Sequence, residues 1–452
     1  MRPFGPIGLL AGALAAAPLP AEPLSRAQAV AAALQAHPEI QKAQEEIRKL
    51  GGQILEARAD ALPEVTLTGT ALRFRDPSLL NSSSFDAFPP ELRDSLTPIP
   101  ANLFGSAVSV RQTLLSFKLG KAIEAARLGV ELGAEELRRV RQEIALEAIR
   151  AYNDFVLSLE QVEVAGKSVR QKEEHLAAAR NRRSAGVATD LDVLRSQVDV
   201  ENQRAQLLRF RGLADLARGR LNAVMVHPIA APIQPSDGLD FMPLDLSLNQ
   251  AIQEAWSNRP ESKAIALTEG LSEKLIGIEA AEMRPSVDFD GQWGTSVRQP
   301  ENFFDSDFTQ WSAGVTVTVP LFDGLRSAGR VSQARAQRNQ VIQDRIALEN
   351  QIRLEAKDAV DRLAVARSIL EAAELNQTQA QRALDMTQAN YKYGAATTLD
   401  VLDAQAALTL AESTRILALH EHANARATLR YVMARDPLDP PAGGGAPGAT
   451  DP

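Results

Sequence analysis

The chain contains no cysteine in 452 residues. Neither disulfides, nor thiolate chemistry, nor a thiol for lipid attachment is therefore expected. Aromatic residues are also scarce, at 5%, which is too few for a thick core of bulky side chains and points to closely packed helices rich in alanine. Excess positive charge is missing: Lys and Arg number 49 against 57 Asp and Glu, giving a net charge of −8. A nucleic-acid surface needs clustered cations, so no nucleic-acid partner is expected. Arg138, Arg139 and Arg141 alternate with Glu135, Glu136 and Glu143 and read as a solvated helical face. No run reaches about eighteen apolar residues, so no transmembrane helix is written. The five histidines are scattered, at 37, 175, 227, 420 and 422, and those of His420-Glu421-His422 point to separate helix faces. Without a phosphate loop, a nucleophile elbow or an HExxH motif, the reading is of a non-enzyme with no cofactor and no metal.

What is present begins with a leader. Arg2 precedes the apolar stretch Ile7 to Ala17, and small residues and prolines follow to Ala21, the pattern of a secretory signal peptide over 1–21. An exported chain without helical spans is either soluble or inserted as a β-barrel. At the other end, 436–452 is rich in Pro and Gly and reads as a disordered tail.

Between them lies an internal duplication. Aligning Leu24-Ser25 with Leu246-Ser247 pairs Gln28 with Gln250, Pro38-Glu39 with Pro260-Glu261, Pro63 with Pro285 and Gly69 with Gly291 at one constant offset. Further on, Gly186, Thr189 and Leu191-Asp192-Val193-Leu194 pair with Gly394, Thr397 and Leu399-Asp400-Val401-Leu402. The chain is thus two copies of one unit, 22–226 and 246–435, joined by a proline-rich linker at 227–245.

Each copy has the same element order. A helix starts after Ser25 or Ser247, either of which can cap it, and is expected to run on to Leu62 or Arg284. Two stretches of period-two alternation follow, near 65–74 and 105–113 in the first copy and near 287–295 and 311–319 in the second. Next come very long helices, about 117–183 and 325–392, each followed by a tight turn and a return helix ending near Met225 or Met433. Ile123, Val130, Leu137 and Ile144 recur every seventh residue, as in coiled-coil packing, and an uninterrupted helix of that length reaches on the order of 100 Å. Four strands cannot close a barrel, since the smallest outer-membrane barrels use about eight. A homotrimer supplies twelve. The expected fold is an α+β membrane protein in which a trimeric 12-stranded β-barrel is continued by a long α-helical coiled-coil barrel. Phe74, Phe104, Trp293, Phe308 and Trp311 lie at or near strand ends, where an aromatic girdle would meet outer-membrane lipid. The polar connections 75–104 and 298–309 fit outward-facing loops.

At this point the sequence resembles the TolC-like family of outer-membrane efflux proteins over nearly all of 24–434. The resemblance rests on the duplication, on Leu24-Ser25 with Pro38-Glu39 and its second copy, on Val319-Pro320-Leu321-Phe322-Asp323-Gly324, and on Tyr391, Gly394 and Leu399-Asp400-Val401-Leu402-Asp403. No one of these motifs is specific, but their order and spacing are. The resemblance implies an exit channel in the outer membrane of a Gram-negative bacterium, extending into the periplasm. Small molecules or proteins would be exported through it with a periplasmic adaptor and an inner-membrane pump or transporter. A soluble periplasmic coiled-coil adaptor or scaffold is the alternative.

Within that frame the repeated turns become sites. Gly186 and Gly394 allow the chain reversal, and Thr189 and Thr397 can cap the returning helices. Three chains with two tips each would present six similar tips to a ring-shaped adaptor, so Arg183, Ser184, Gly186, Val187, Tyr393, Gly394 and Ala395 form the expected docking surface. Asp400 and Asp403 share a helical face, and a trimer would aim six carboxylates at its axis, favouring cations. By resemblance they match the acidic rings of the family's periplasmic constriction and Tyr391 matches a gate position; where some members carry a basic residue, this chain has Ala396.

Overall fold

The computed structural model describes residues 22–75, 77, 78, 89 and 100–436. The leader at 1–21, most of the first expected loop and the tail after Asp436 lie outside the described residues. The elements, in order, are β1 (Glu22–Leu24), α1 (Arg26–Ala36), α2 (Pro38–Ala59), β2 (Glu64–Phe74), β3 (Ala101–Leu115), α3 (Phe117–Ser184) and α4 (Asp190–Val224) in the first copy. Then follow β4 (Ile233–Pro235), α5 (Leu248–Asn258), α6 (Pro260–Ala280), β5 (Ser286–Val297), β6 (Thr309–Thr318), α7 (Arg326–Lys392) and α8 (Thr398–Val432).

The helix expected from Ser25 to Leu62 is in fact two, and so is its counterpart. His37 and Arg259 adopt extended conformations (φ −63, ψ 129 and φ −63, ψ 138), because a residue before proline is disfavoured in the helical region. Pro38 and Pro260 then open α2 and α6, where their missing N–H removes no helical bond. Upstream, Ser25 and Ser247 close reciprocal capping boxes with Gln28 and Gln250.

Two compact units draw on both copies. One comprises 44–135 and 263–346. It holds an antiparallel sheet ordered β2-β3-β5-β6, whose register brings residues of all four strands into rows. Leu67, Val108, Trp293 and Trp311 stand side by side, and Thr66, Ser109, Gln292 and Ser312 form the adjacent row. Because side chains alternate, the first row belongs to an apolar face with Val65, Val110, Val315 and Val317, and the second to a polar face where Arg111 pairs with Asp290 at 3.0 Å. The strands are 11, 15, 12 and 10 residues long, enough to cross a hydrocarbon layer, which takes about 9–11 residues when tilted. Both edges, β2 and β6, are open among the described residues. Among the described residues, no helix is long and apolar enough to cross a membrane.

The other unit comprises, among the described residues, 22–43, 136–262 and 347–436. Ion pairs and hydrogen bonds set the lateral order of its long helices as α4-α3-α8-α7: Arg204 reaches Glu173, Lys167 reaches Glu412, Arg150 donates to Thr428, and Arg415 reaches Glu374. The two copies bury short helices in the same way. Val30 and Ala33 of α1 pack with Ile144, Ala148 and Ile149 of α3, and Ala29 with Tyr152 and Phe155 of the same helix, while Ala251 and Ala255 of α5 pack with Ile352, Ala356 and Ala359 of α7. Small residues let the backbones approach, and each buried Val or Ile contributes roughly 1.5–3 kcal/mol. The linker adds a short parallel ladder, β1 with β4, held where Tyr152 donates to Leu24 O and Arg26 donates to Asn153 and Gly238 O. On the flanking helices α4 and α7, large apolar side chains such as Leu194, Leu208, Leu354, Val365 and Met386 stay exposed.

Candidate functional site

The repeated turns are two successive backbone devices. At the first tip, Val187 N–H donates to Arg182 O and Gly186 N–H to Arg183 O, both at 2.9 Å. At the second, Ala395 N–H donates to Asn390 O and Gly394 N–H to Tyr391 O, at 2.9 and 3.2 Å. These bonds close a Schellman motif, which needs a left-handed residue, and Gly186 and Gly394 supply it at φ +79 and +76. Each return helix then starts with a capping box. Thr397 N–H and Oγ1–H both donate to Asp400 Oδ2 at 2.7 Å, and Asp400 N–H donates to Thr397 Oγ1 at 3.2 Å. Thr189 and Asp192 repeat the arrangement, with bonds of 2.9, 2.7 and 3.2 Å. The motif was written twice because both halves of a reversal are needed at both tips.

Electrostatics follow from these bonds. The threonine hydroxyls, and then the threonine backbone N–H groups, hold the Asp192 and Asp400 carboxyls below the usual carboxylate range. Asp400 is thus both an exposed anion and a cap, whereas Asp403, one turn on and also exposed, caps nothing. The first copy has Arg195 in the place of Asp403. At the tips Tyr393 is 89% and Val187 64% exposed, and Arg183, Ser184, Gly186, Gly394 and Ala395 are exposed with them. Arg183 pairs with Asp190 across the first turn.

Tyr391 is half-buried and held within the chain. Its hydroxyl lies 3.3 Å from Thr398 Oγ1, and the Arg182 guanidinium sits 4.6 Å from its ring centroid. The sequence reading did not single out Arg182. Its spacing of seven from His175, which faces the same ring at 6.2 Å, was the available signal. Also missed was Arg259, whose guanidinium joins Glu261 at 3.0 Å and Glu355. Burial, the largest single influence, pushes the Glu261 carboxyl up, but the hydrogen bond from Arg259, the residue's own backbone N–H and the charges of Arg259 and Arg139 together outweigh it and hold the group below its ordinary range.

The aromatic residues divide. Trp293 and Trp311 are directly opposite each other and exposed on the apolar face. Phe104 shares that face, pairing with Ala71 and Val297, but stands four residues, about 13 Å, from the Val108 row. Phe74, opposite Ala101, is an odd number of residues from Ala71 and so lies on the polar face, out of the expected girdle. Phe308 sits in a short turn before β6.

A family model described as outer membrane efflux protein matches residues 29–225 and 251–435. The outer membrane protein OprJ of Pseudomonas aeruginosa is 26% identical over 362 residues, 77% of this chain and 71% of that protein. The alkaline protease secretion protein AprF of the same species is 23% identical over 335 residues, 72% of this chain and 68% of its own. The crystal structure of the outer membrane protein VceC from Vibrio cholerae has the same fold, with a TM-score of 0.75 at 18% identity over 91% of this chain and 96% of that one.

Proposed function

Because the chain belongs to the outer membrane efflux protein family, we propose that it is the outer-membrane exit channel of an export assembly, working with a periplasmic adaptor and an inner-membrane pump or transporter. It is a conduit and not an enzyme, and the adaptor-or-scaffold alternative falls with the family assignment. The observation that carries the reading furthest is the sheet with one apolar face, one polar face and two open edges. In hydrocarbon an unpaired strand edge has several unsatisfied N–H and C=O groups, each costing several kcal/mol. The direction of β6 is opposite to that of β2, so β6 of one copy pairs antiparallel with β2 of the next. Three copies of four strands close twelve, with the apolar face to lipid and the polar face to the lumen.

The exposed apolar residues on α4 and α7 support the same closure, since these flanking helices meet when copies join in a ring. Trp293 and Trp311 then face lipid near its polar boundary, and Phe104 faces lipid about 13 Å further along the same face. Six tips offer Arg183, Ser184, Gly186, Val187, Tyr393, Gly394 and Ala395 to the adaptor, and Asp400 and Asp403 line the narrow periplasmic end beside Tyr391. The test is single-channel recording of the purified protein in a planar bilayer, parent beside Asp400→Asn with Asp403→Asn. A small cation-selective conductance that loses selectivity in the variant supports both tube and constriction. Conductance indifferent to the variant removes the constriction, and a monomer that passes no current removes the channel.

A further inference from the structure

His175 on α3 is buried, at 8% exposure, and its Nε2 has no hydrogen-bond partner among the described residues. Its ring faces Tyr391 of the second hairpin at 6.2 Å. Two turns further along α3, Arg182 covers the same tyrosine ring from 4.6 Å, within the range where a cation is attracted to an aromatic face. The charged groups acting on His175 are Arg182 on its own helix and Asp199 on α4, and from α7 it meets the Tyr391 ring. One aromatic side chain of the second hairpin is thus held by two side chains of the first.

We propose that His175, Arg182 and Tyr391 form a proton-sensitive clasp that ties the second hairpin to the first near their tips and loosens on acidification. With His175 neutral, the contact contains one cation over an electron-rich ring. Protonation puts a second cation beside the first, in a buried place where no acceptor for its Nε2–H stands among the described residues. Burial above all disfavours the charged imidazole; Asp199 pulls the other way, and Arg182 adds a smaller push against the charge. The clasped state therefore takes up a proton less readily than an opened state in which the ring meets water. Clasping is complete above the free-imidazole value of about 6.5 and weakens as pH falls below it. One proton changes the ratio of clasped to opened states by at most about tenfold per pH unit.

The absence of native cysteine permits a direct test on the full chain. Spin labels at Ala185→Cys and Lys392→Cys report the distance between the two tips at pH 7.5 and pH 5, and this readout does not rest on the channel reading. The expected result is a longer or broader distribution at pH 5 in the labelled parent. His175→Gln should give the same distribution at both pH values, and Arg182→Ala a broad one at both. His175→Phe keeps the packing and should match His175→Gln; unchanged helical circular dichroism shows that both variants fold. A pH-independent distribution in the parent, or a pH response that survives in both His175 variants, overturns the proposal. Bilayer recordings at the two pH values, which do rest on the channel reading, separate the failures. A conducting protein with pH-independent tips loses only the clasp; a non-conducting one whose tips respond loses only the channel.

Discussion

Replacing Thr397 by Ala removes one hydroxyl and, with it, two of the three bonds that start α8: the donation to Asp400 Oδ2 at 2.7 Å and the acceptance from Asp400 N–H at 3.2 Å. The Thr397 backbone N–H keeps its bond to the carboxylate. Loss of a threonine cap costs about 1 kcal/mol, which raises the frayed population of the first turn about fivefold. That turn carries Asp400, and Thr398 beside it contacts Tyr391, so fraying should loosen the proposed constriction as well as the helix. The duplication provides the control. Thr189→Ala removes the same two bonds to Asp192 in a copy that has Arg195 instead of a second acid. Hydrogen exchange of the amides at 400–402 and 192–194 should accelerate about fivefold, each in its own variant. Cation selectivity in bilayer recordings should fall in Thr397→Ala and hold in Thr189→Ala. Unaltered exchange in both variants would refute the capping argument. Equal loss of selectivity from either tip would refute the assignment of the constriction to the second copy.

Asp403→Asn removes three of the six proposed ring charges while leaving every cap intact, and should lower the cation-to-anion permeability ratio measured from reversal potentials in dilute salt, with less effect as salt screens the ring. Asp or Val in place of Gly186 and Gly394 forces a side chain into the left-handed region; pull-down of the adaptor should fail while trimers persist on gels, and normal pull-down would remove the tips as docking surface. Arg259→Met leaves Glu261 and Glu355 without their shared cation and should cost about 3 kcal/mol in denaturant unfolding, largely recovered by adding Glu261→Gln and Glu355→Gln. Because the folded Glu261 carboxyl titrates below its free value, the pair's contribution is present above about pH 4.3 and lost as pH falls through the lower folded value. Trp293→Ala with Trp311→Ala should reduce recovery of protein in the outer-membrane fraction more than Phe74→Ala does, since Phe74 is on the polar face; equal effects would contradict the strand register.

Devices that close within a few residues could be read directly from the sequence. Gly186 and Gly394, the Thr–Asp spacing of three at both tips, the serine caps and the period-two strands are short-range chemistry, and duplication wrote each of them twice. The helix breaks at His37 and Arg259 were equally local, since the prolines that follow restrict them, and reading one helix there underweighted that restriction. Three features were set by tertiary structure. Phe74 stands on the polar face, away from the expected girdle, because cross-strand pairing, not proximity to a strand end, decides which face a side chain joins. Arg259 finds Glu355, and Arg182 and His175, whose spacing of seven puts them on one helix face, find Tyr391, across separations in sequence that do not name the partner. The sequence by itself determined the elements, their repetition and their caps, because those depend on backbone conformation and neighbours within a turn. Which charges share a buried pocket, and which face of the sheet each residue joins, only the folded chain decided, because register and helix order emerge when distant surfaces pack.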